Sequence, residues 1–177
     1  MTVTVDIPPR HVRTARKLAV KRNRSFEEDD NWNNTVKSYG IDPVERNLRG
    51  LIGEFAFAEY ADLVVDTNEY EYTDVDGDFR VVYRGERVTI DVKTAESRPY
   101  ALFVKEGCAS ADYYVLGHLV DHSEELDWRT VKFYGMASRE DVVSTELTST
   151  PYDHRNHEVP IEDLEPLPEP EALAPVG

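Results

Sequence analysis

The chain has 177 residues, 40% of them hydrophobic, and a formal net charge of −15, which bounds it to one domain around one sizeable core. No run approaches the roughly 18 apolar residues of a membrane span, and Met1–Arg10 lacks the charged-then-apolar pattern of a secretory leader, so a cytoplasmic protein with no membrane partner is expected. Cys108 is the only cysteine, which excludes an internal disulfide and a cysteine-built zinc or iron–sulfur site.

The charge is unevenly spread. Residues 1–26 hold seven bases (Arg10, Arg13, Arg16, Lys17, Lys21, Arg22 and Arg24) against Asp6 alone, while the rest of the chain holds 13 bases and 34 acids. An acidic surface poor in lysine suits concentrated salt, where the Debye length falls to about 3 Å at 1 M, and a halophilic setting is expected. Residues 8–24 predict a first helix in which Val12, Ala15, Leu18 and Ala19 form a narrow apolar stripe among those bases. Its charges suit either DNA phosphates or the protein's own acids. Residues 25–41 read as a polar loop.

Asp42 opens a second helix. It can cap, Pro43 suits the first helical position, and Glu45 completes a capping-box pattern. Val44, Leu48, Leu51, Ile52 and Phe55 recur on one face at the helical period and predict a buried face. Glu54 lies at the edge of that face. Gly50 and Gly53 bracket it at a cost of about 1 kcal/mol each relative to alanine, which makes sense if something must approach the helix closely.

Strands follow. Phe79–Tyr83 and Arg87–Lys93 flank a short glycine-containing connection at Arg84-Gly85-Glu86. Leu102–Val104, Asp112–Val120 and Val131–Met136 read as further strands, and Ser138 as the cap of a short helix beginning Arg139-Glu140-Asp141. Residues 158–177, with five prolines, six acids and no base, read as an extended or disordered acidic tail. The domain is thus placed at 1–157, with its core at 42–143. Tyr113 and Tyr114 read as strand packing, and Cys108 as a small buried or neutral residue. The pairs His118/His122 and His154/His157 read as coincidental spacing.

If Arg84-Gly85 is a two-residue turn, Tyr83 pairs with Glu86, and Asp78 falls opposite Asp91 on one face. Two facing carboxylates repel, and a cation between them would relieve this. Lys93 shares that face with Asp91, about 6.5–7 Å along the strand. Asp76 competes with Asp78 for such a role, and Glu59 with Glu54.

A helix glutamate, an aspartate at the head of a hairpin, and D-x-K on the next strand together resemble the PD-(D/E)xK nuclease superfamily. The matching residues are Glu54 in G-L-I-G-E-F, Asp78 in D-G-D-F-R-V, and Asp91 with Lys93 in I-D-V-K-T. The chain is also similar to small phage and haloarchaeal-virus proteins of that kind. The resemblance implies an α/β, restriction-endonuclease-like core, a mixed β-sheet flanked by helices. It implies DNA as substrate, hydrolysed by a metal-dependent deoxyribonuclease, and a homodimer as in many relatives. Asp78, Asp91 and the Val92 carbonyl would bind Mg²⁺ or Mn²⁺, Glu54 would complete the metal shell, and Lys93 would act on the attacking water. Gly77 stands where the family has proline, and Lys105–Ala111 leaves little room for the helix usual between the third and fourth core strands. The alternative is a catalytically inactive nucleic-acid-binding or assembly protein on the same fold.

Overall fold

A two-residue turn sets the register on which the candidate site depends. Arg84 and Gly85 take φ values of 52° and 83°, the left-handed pair that suits a tight hairpin. They join β2 (Phe79–Tyr83) to β3 (Glu86–Ala95). Tyr83 faces Glu86 and Phe79 faces Ile90, which is the expected register. The structure, a computed structural model, describes residues 1–27, 42–65, 67, 77–120, 129–150 and 154–176, the side chains of 24–27 excepted.

The protein is mixed α/β. Before the hairpin come β1 (Val3–Ile7), α1 (Pro9–Glu27) and α2 (Pro43–Ala61). After it come β4 (Ala101–Lys105), β5 (Tyr113–Leu119), β6 (Arg129–Ser138), α3 (Arg139–Ser144), β7 (Leu147–Ser149), β8 (Arg155–Pro160) and β9 (Leu173–Pro175). One mixed sheet has the order β1-β6-β5-β3-β2-β9, and a second, antiparallel sheet has the order β4-β8-β7. In the first sheet β3 and β5 are parallel; its other neighbours are antiparallel.

Parallel neighbours need a crossover of a dozen or more residues, usually a helix. Here the crossover carries β4 into the second sheet instead. The two strands are tied where they begin. The Asp112 carboxylate accepts from Thr89 N at 2.9 Å and from Thr89 Oγ1 at 3.0 Å.

The helices and the second sheet cover opposite faces of the main sheet. Ile90, Val92, Val115 and Phe133 pack with α1 and α2, whereas Tyr114, Leu116 and Ala137 pack with Leu102, Val104 and Val159 of the second sheet. Asp42 caps α2 through Val44 N at 2.9 Å. Glu45 does not close the expected capping box; it lies 3.6 Å from Arg49 one turn on. Burial on α2 also spreads beyond the predicted face, to Ala56, Phe57, Ala58 and Ala61. The stripe of α1, Val12, Ala15, Leu18 and Ala19, joins the same core and supplies the extra cover. The Phe57 ring lies 5.3 Å from that of Phe79 and 6.1 Å from that of Phe133. Among the described residues, no helix is long and apolar enough to cross a membrane.

The expected tail is corrected. The boundary at 157 cuts through β8, Glu165 bridges Met136 of β6, and β9 pairs with β2. Leu167 and Leu173 are buried in the larger core. Their apolar surface, not the prolines and acids between them, decides where this stretch goes. Tyr114 is fully buried and Tyr113 stacks edge-on to Tyr83 at 5.5 Å, as strand packing predicts. Cys108 is exposed rather than buried.

Replacing a buried leucine by alanine costs about 2–5 kcal/mol, and Leu173 is 4% exposed. Leu173→Ala is therefore expected to lower the unfolding free energy by about 2–4 kcal/mol in urea melts; an unaltered midpoint would mean that the last residues hang free.

Candidate metal centre

β3 is ten residues long and β2 only five. The hairpin pairing stops at Phe79 and Ile90, while β5 accompanies β3 through Ala95. The β2-side edge of β3 from Asp91 onward is thus left open. Asp78 sits at that point. Its backbone N donates to the Ile90 carbonyl at 2.8 Å, and its Oδ2 accepts from Val92 N at 2.7 Å. The carboxylate thereby satisfies the first N–H that β2 no longer covers.

Gly77 makes this possible. It has φ +101°, and a Cβ there would lie 2.9 Å from the Ile90 carbonyl oxygen. Proline, locked near −65°, could not adopt this backbone.

Asp91 and Lys93 share the face of β3 that Tyr114 and Leu116 carry on β5, as alternation requires. Lys93 Nζ stands 2.7 Å from Asp91 Oδ2. Glu54 comes from α2, which is held close because Gly53 has no side chain: a Cβ there would fall 1.8 Å from Thr94 Oγ1. Close approach thus accounts for Gly53, while Gly50 has open space around it and no such reason. Arg22 of α1 reaches in as well, 3.8 Å from Glu54 Oε1.

The electrostatics show how crowded these acids are. Burial, then Asp78 and Asp91, push the Glu54 carboxyl up to about 8, against the pull of Arg22 and Lys93. Burial and Asp91 raise Asp78 to about 6, against the Val92 N–H, Lys93 and Arg22. Burial alone would lower the pKa of Lys93, but Asp91 and Asp78 outweigh it and keep the ammonium charged. Three carboxylates therefore share the influence of two cations in a low-dielectric notch, where like charges cannot all ionise freely.

An all-oxygen donor set with surplus negative charge is what a hard divalent cation accepts. The residues present fit Mg²⁺ or Mn²⁺ in that respect. They are not arranged as a finished cage: among the described residues, no group of three or more His, Cys, Asp or Glu stands ready to hold an ion. Each acid is turned to a local partner instead, Asp91 to Lys93, Asp78 to Val92 N and Glu54 to Arg22.

Glu59 is exposed and lies 3.5 Å from His11, away from the carboxylate group, so Glu54 is the acid of α2 that meets it. Asp76 lies outside the described residues. Of the predicted DNA-contacting bases, Arg10, Arg13, Arg16, Lys17 and Lys21 are exposed on α1; the side chain of Arg24 lies outside the described residues. Arg22 departs from the expectation because its position on α1 points it at Glu54 rather than outward. A long base one helical turn from Leu18 and Ala19, near the edge of the apolar stripe, is the signal that could have assigned it inward. Comparisons with protein-family models, curated proteins and solved structures found no match to this chain.

Glu54 and Asp78 bind protons more tightly folded than unfolded, against ordinary values of 4.5 and 3.8. Their contribution to stability is present at low pH and is lost as pH rises through about 6 and then about 8. In EDTA, the melting temperature should fall across that window, and Glu54→Gln should flatten its upper part. An identical pH profile in the variant would contradict this electrostatic account.

Proposed function

We propose that the protein is a divalent-metal-dependent nuclease of the PD-(D/E)xK, restriction-endonuclease-like kind, hydrolysing DNA phosphodiester bonds. One observation carries the reading: Glu54, Asp78, Asp91 and Lys93, scattered along the chain, gather where β2 stops and β3 runs on. A bound Mg²⁺ or Mn²⁺ would lower the pKa of a coordinated water and offset charge developing on the phosphate. Asp78 and Asp91 would hold the ion, and Glu54 and the Val92 carbonyl would complete its shell. The Glu54 proton would be released on loading, because an adjacent cation reverses the repulsion that keeps it.

Lys93 then has two partners in turn. Its ammonium is closed on Asp91; with Asp91 holding the ion, Lys93 would be left to orient the attacking water and hold a phosphate oxygen. Arg22 steadies Glu54 from the far side. The outward bases of α1 supply the attraction for the DNA backbone that the acidic remainder lacks. A homodimer would offer one such site to each strand of a duplex.

The closed Asp91–Lys93 pair favours a second reading, a nucleic-acid-binding or assembly protein that keeps the fold without cutting. Supercoiled plasmid distinguishes the two. Nicking is expected with Mg²⁺ or Mn²⁺ and not with EDTA, assayed at low and at molar KCl. Asp91→Ala and Lys93→Ala should each slow it by about 100-fold or more. Undiminished cutting in both variants would sink the assignment; DNA binding without nicking in any metal would favour the second reading.

A further inference from the structure

Beside Lys93, on the face of the sheet away from α2, lies a cleft of about 340 Å³. It opens between the end of β3, the crossover segment that follows it, β4 and β5; Lys93, Thr94, Arg98, Tyr100, Phe103 and Leu116 line it. Its volume falls in the range of small-ligand sites. Three features of the lining are unusual for this chain.

The first is charge. Acids outnumber bases 35 to 20 in the sequence, yet the charged residues of the described lining are Lys93 and Arg98, both basic. The second is exposed aromatic surface. Tyr100 is 67% exposed and Phe103 37% exposed, and their rings meet edge-on at 5.4 Å. Both stand outside the two apolar cores, so packing does not account for them. The third is continuity, since Lys93 belongs both to the carboxylate group and to this wall.

An exposed aromatic ring face flanked by guanidinium and ammonium groups is the chemistry that recognises an unpaired nucleotide. Bases stack on aromatic faces whatever their sequence, and the cations take the backbone. A base still paired in a duplex offers only its edge, because its faces are covered by its neighbours.

We infer that the Tyr100–Phe103 cleft binds an unstacked nucleotide next to the scissile phosphate, making single-stranded or flapped DNA the substrate class. The inference rests on the nuclease reading of the adjacent acids for what happens to that phosphate. Binding itself does not depend on that reading. Tyr100 and Phe103 are positioning residues, and Arg98 would engage the neighbouring phosphate.

The test measures binding in EDTA, where no cutting occurs, by fluorescence anisotropy with labelled single-stranded, flapped and blunt-duplex oligonucleotides. The single-stranded and flapped forms should bind more tightly than the blunt duplex. Tyr100→Ala and Phe103→Ala should each weaken that binding by about 5- to 100-fold, with the melting temperature unchanged in Tyr100→Ala, whose side chain is exposed. Arg98→Ala should lower the slope of log affinity against log salt by about one. Equal affinity for all three DNAs, unaffected by either aromatic substitution, would overturn the inference and leave the nuclease reading standing. Aromatic-dependent single-strand binding without metal-dependent cutting would uphold the cleft and overturn the nuclease.

Discussion

Three acids crowd one notch because a hairpin ends early on one side. β2 pairs with only the first half of β3, so the next N–H of β3, that of Val92, lacks a strand partner on that edge. A buried N–H without an acceptor is costly, and the Asp78 carboxylate supplies the acceptor at 2.7 Å. That one hydrogen bond fixes a negative charge beside Asp91. Glu54, brought in by the close packing of Gly53 on Thr94, then has nowhere to ionise freely. The raised proton affinities of Glu54 and Asp78 follow from this arrangement and from burial.

Such a notch is a poor design for stability alone. Buried like charges weaken a fold, and ordinary apolar residues would fill the space at lower cost. The arrangement becomes sensible if a divalent cation is the missing partner. The local contacts of the acids then serve as a resting state: Lys93 and Arg22 neutralise what the ion would neutralise when bound. The two faces of the sheet divide the work. Helices deliver Glu54 and Arg22 from one side, while Lys93 on the other looks into a basic, aromatic-lined cleft.

Much of this was legible in the sequence where local chemistry decides structure. Arg84-Gly85 dictates a two-residue turn, and parity then sets Phe79 against Ile90. Asp42-Pro43 and the apolar period of α2 mark its start and its buried side. What was missed depends on partners far along the chain. β1 alternates Val3, Val5 and Ile7 but is recognisable as a strand only through β6. β9 has three residues, too few for a period, and is held by β2. The acidic composition of 158–177 suggested disorder, whereas Leu167 and Leu173 tie that stretch into the core. The inward turn of Arg22 was marked in the sequence only by its place one helical turn from Leu18 and Ala19, among seven bases that otherwise look alike. The reason for Gly77, the Ile90 carbonyl 2.9 Å from where a Cβ would stand, is tertiary.

The most direct measurement is a crystal soaked in Mn²⁺ and recorded at a wavelength where the ion scatters anomalously. The account predicts one strong peak between the Asp78 and Asp91 carboxylates, at about 2 Å from an oxygen of each, with Lys93 swung away from Asp91. A Mn²⁺ peak elsewhere, with Asp91 still closed on Lys93, would contradict it.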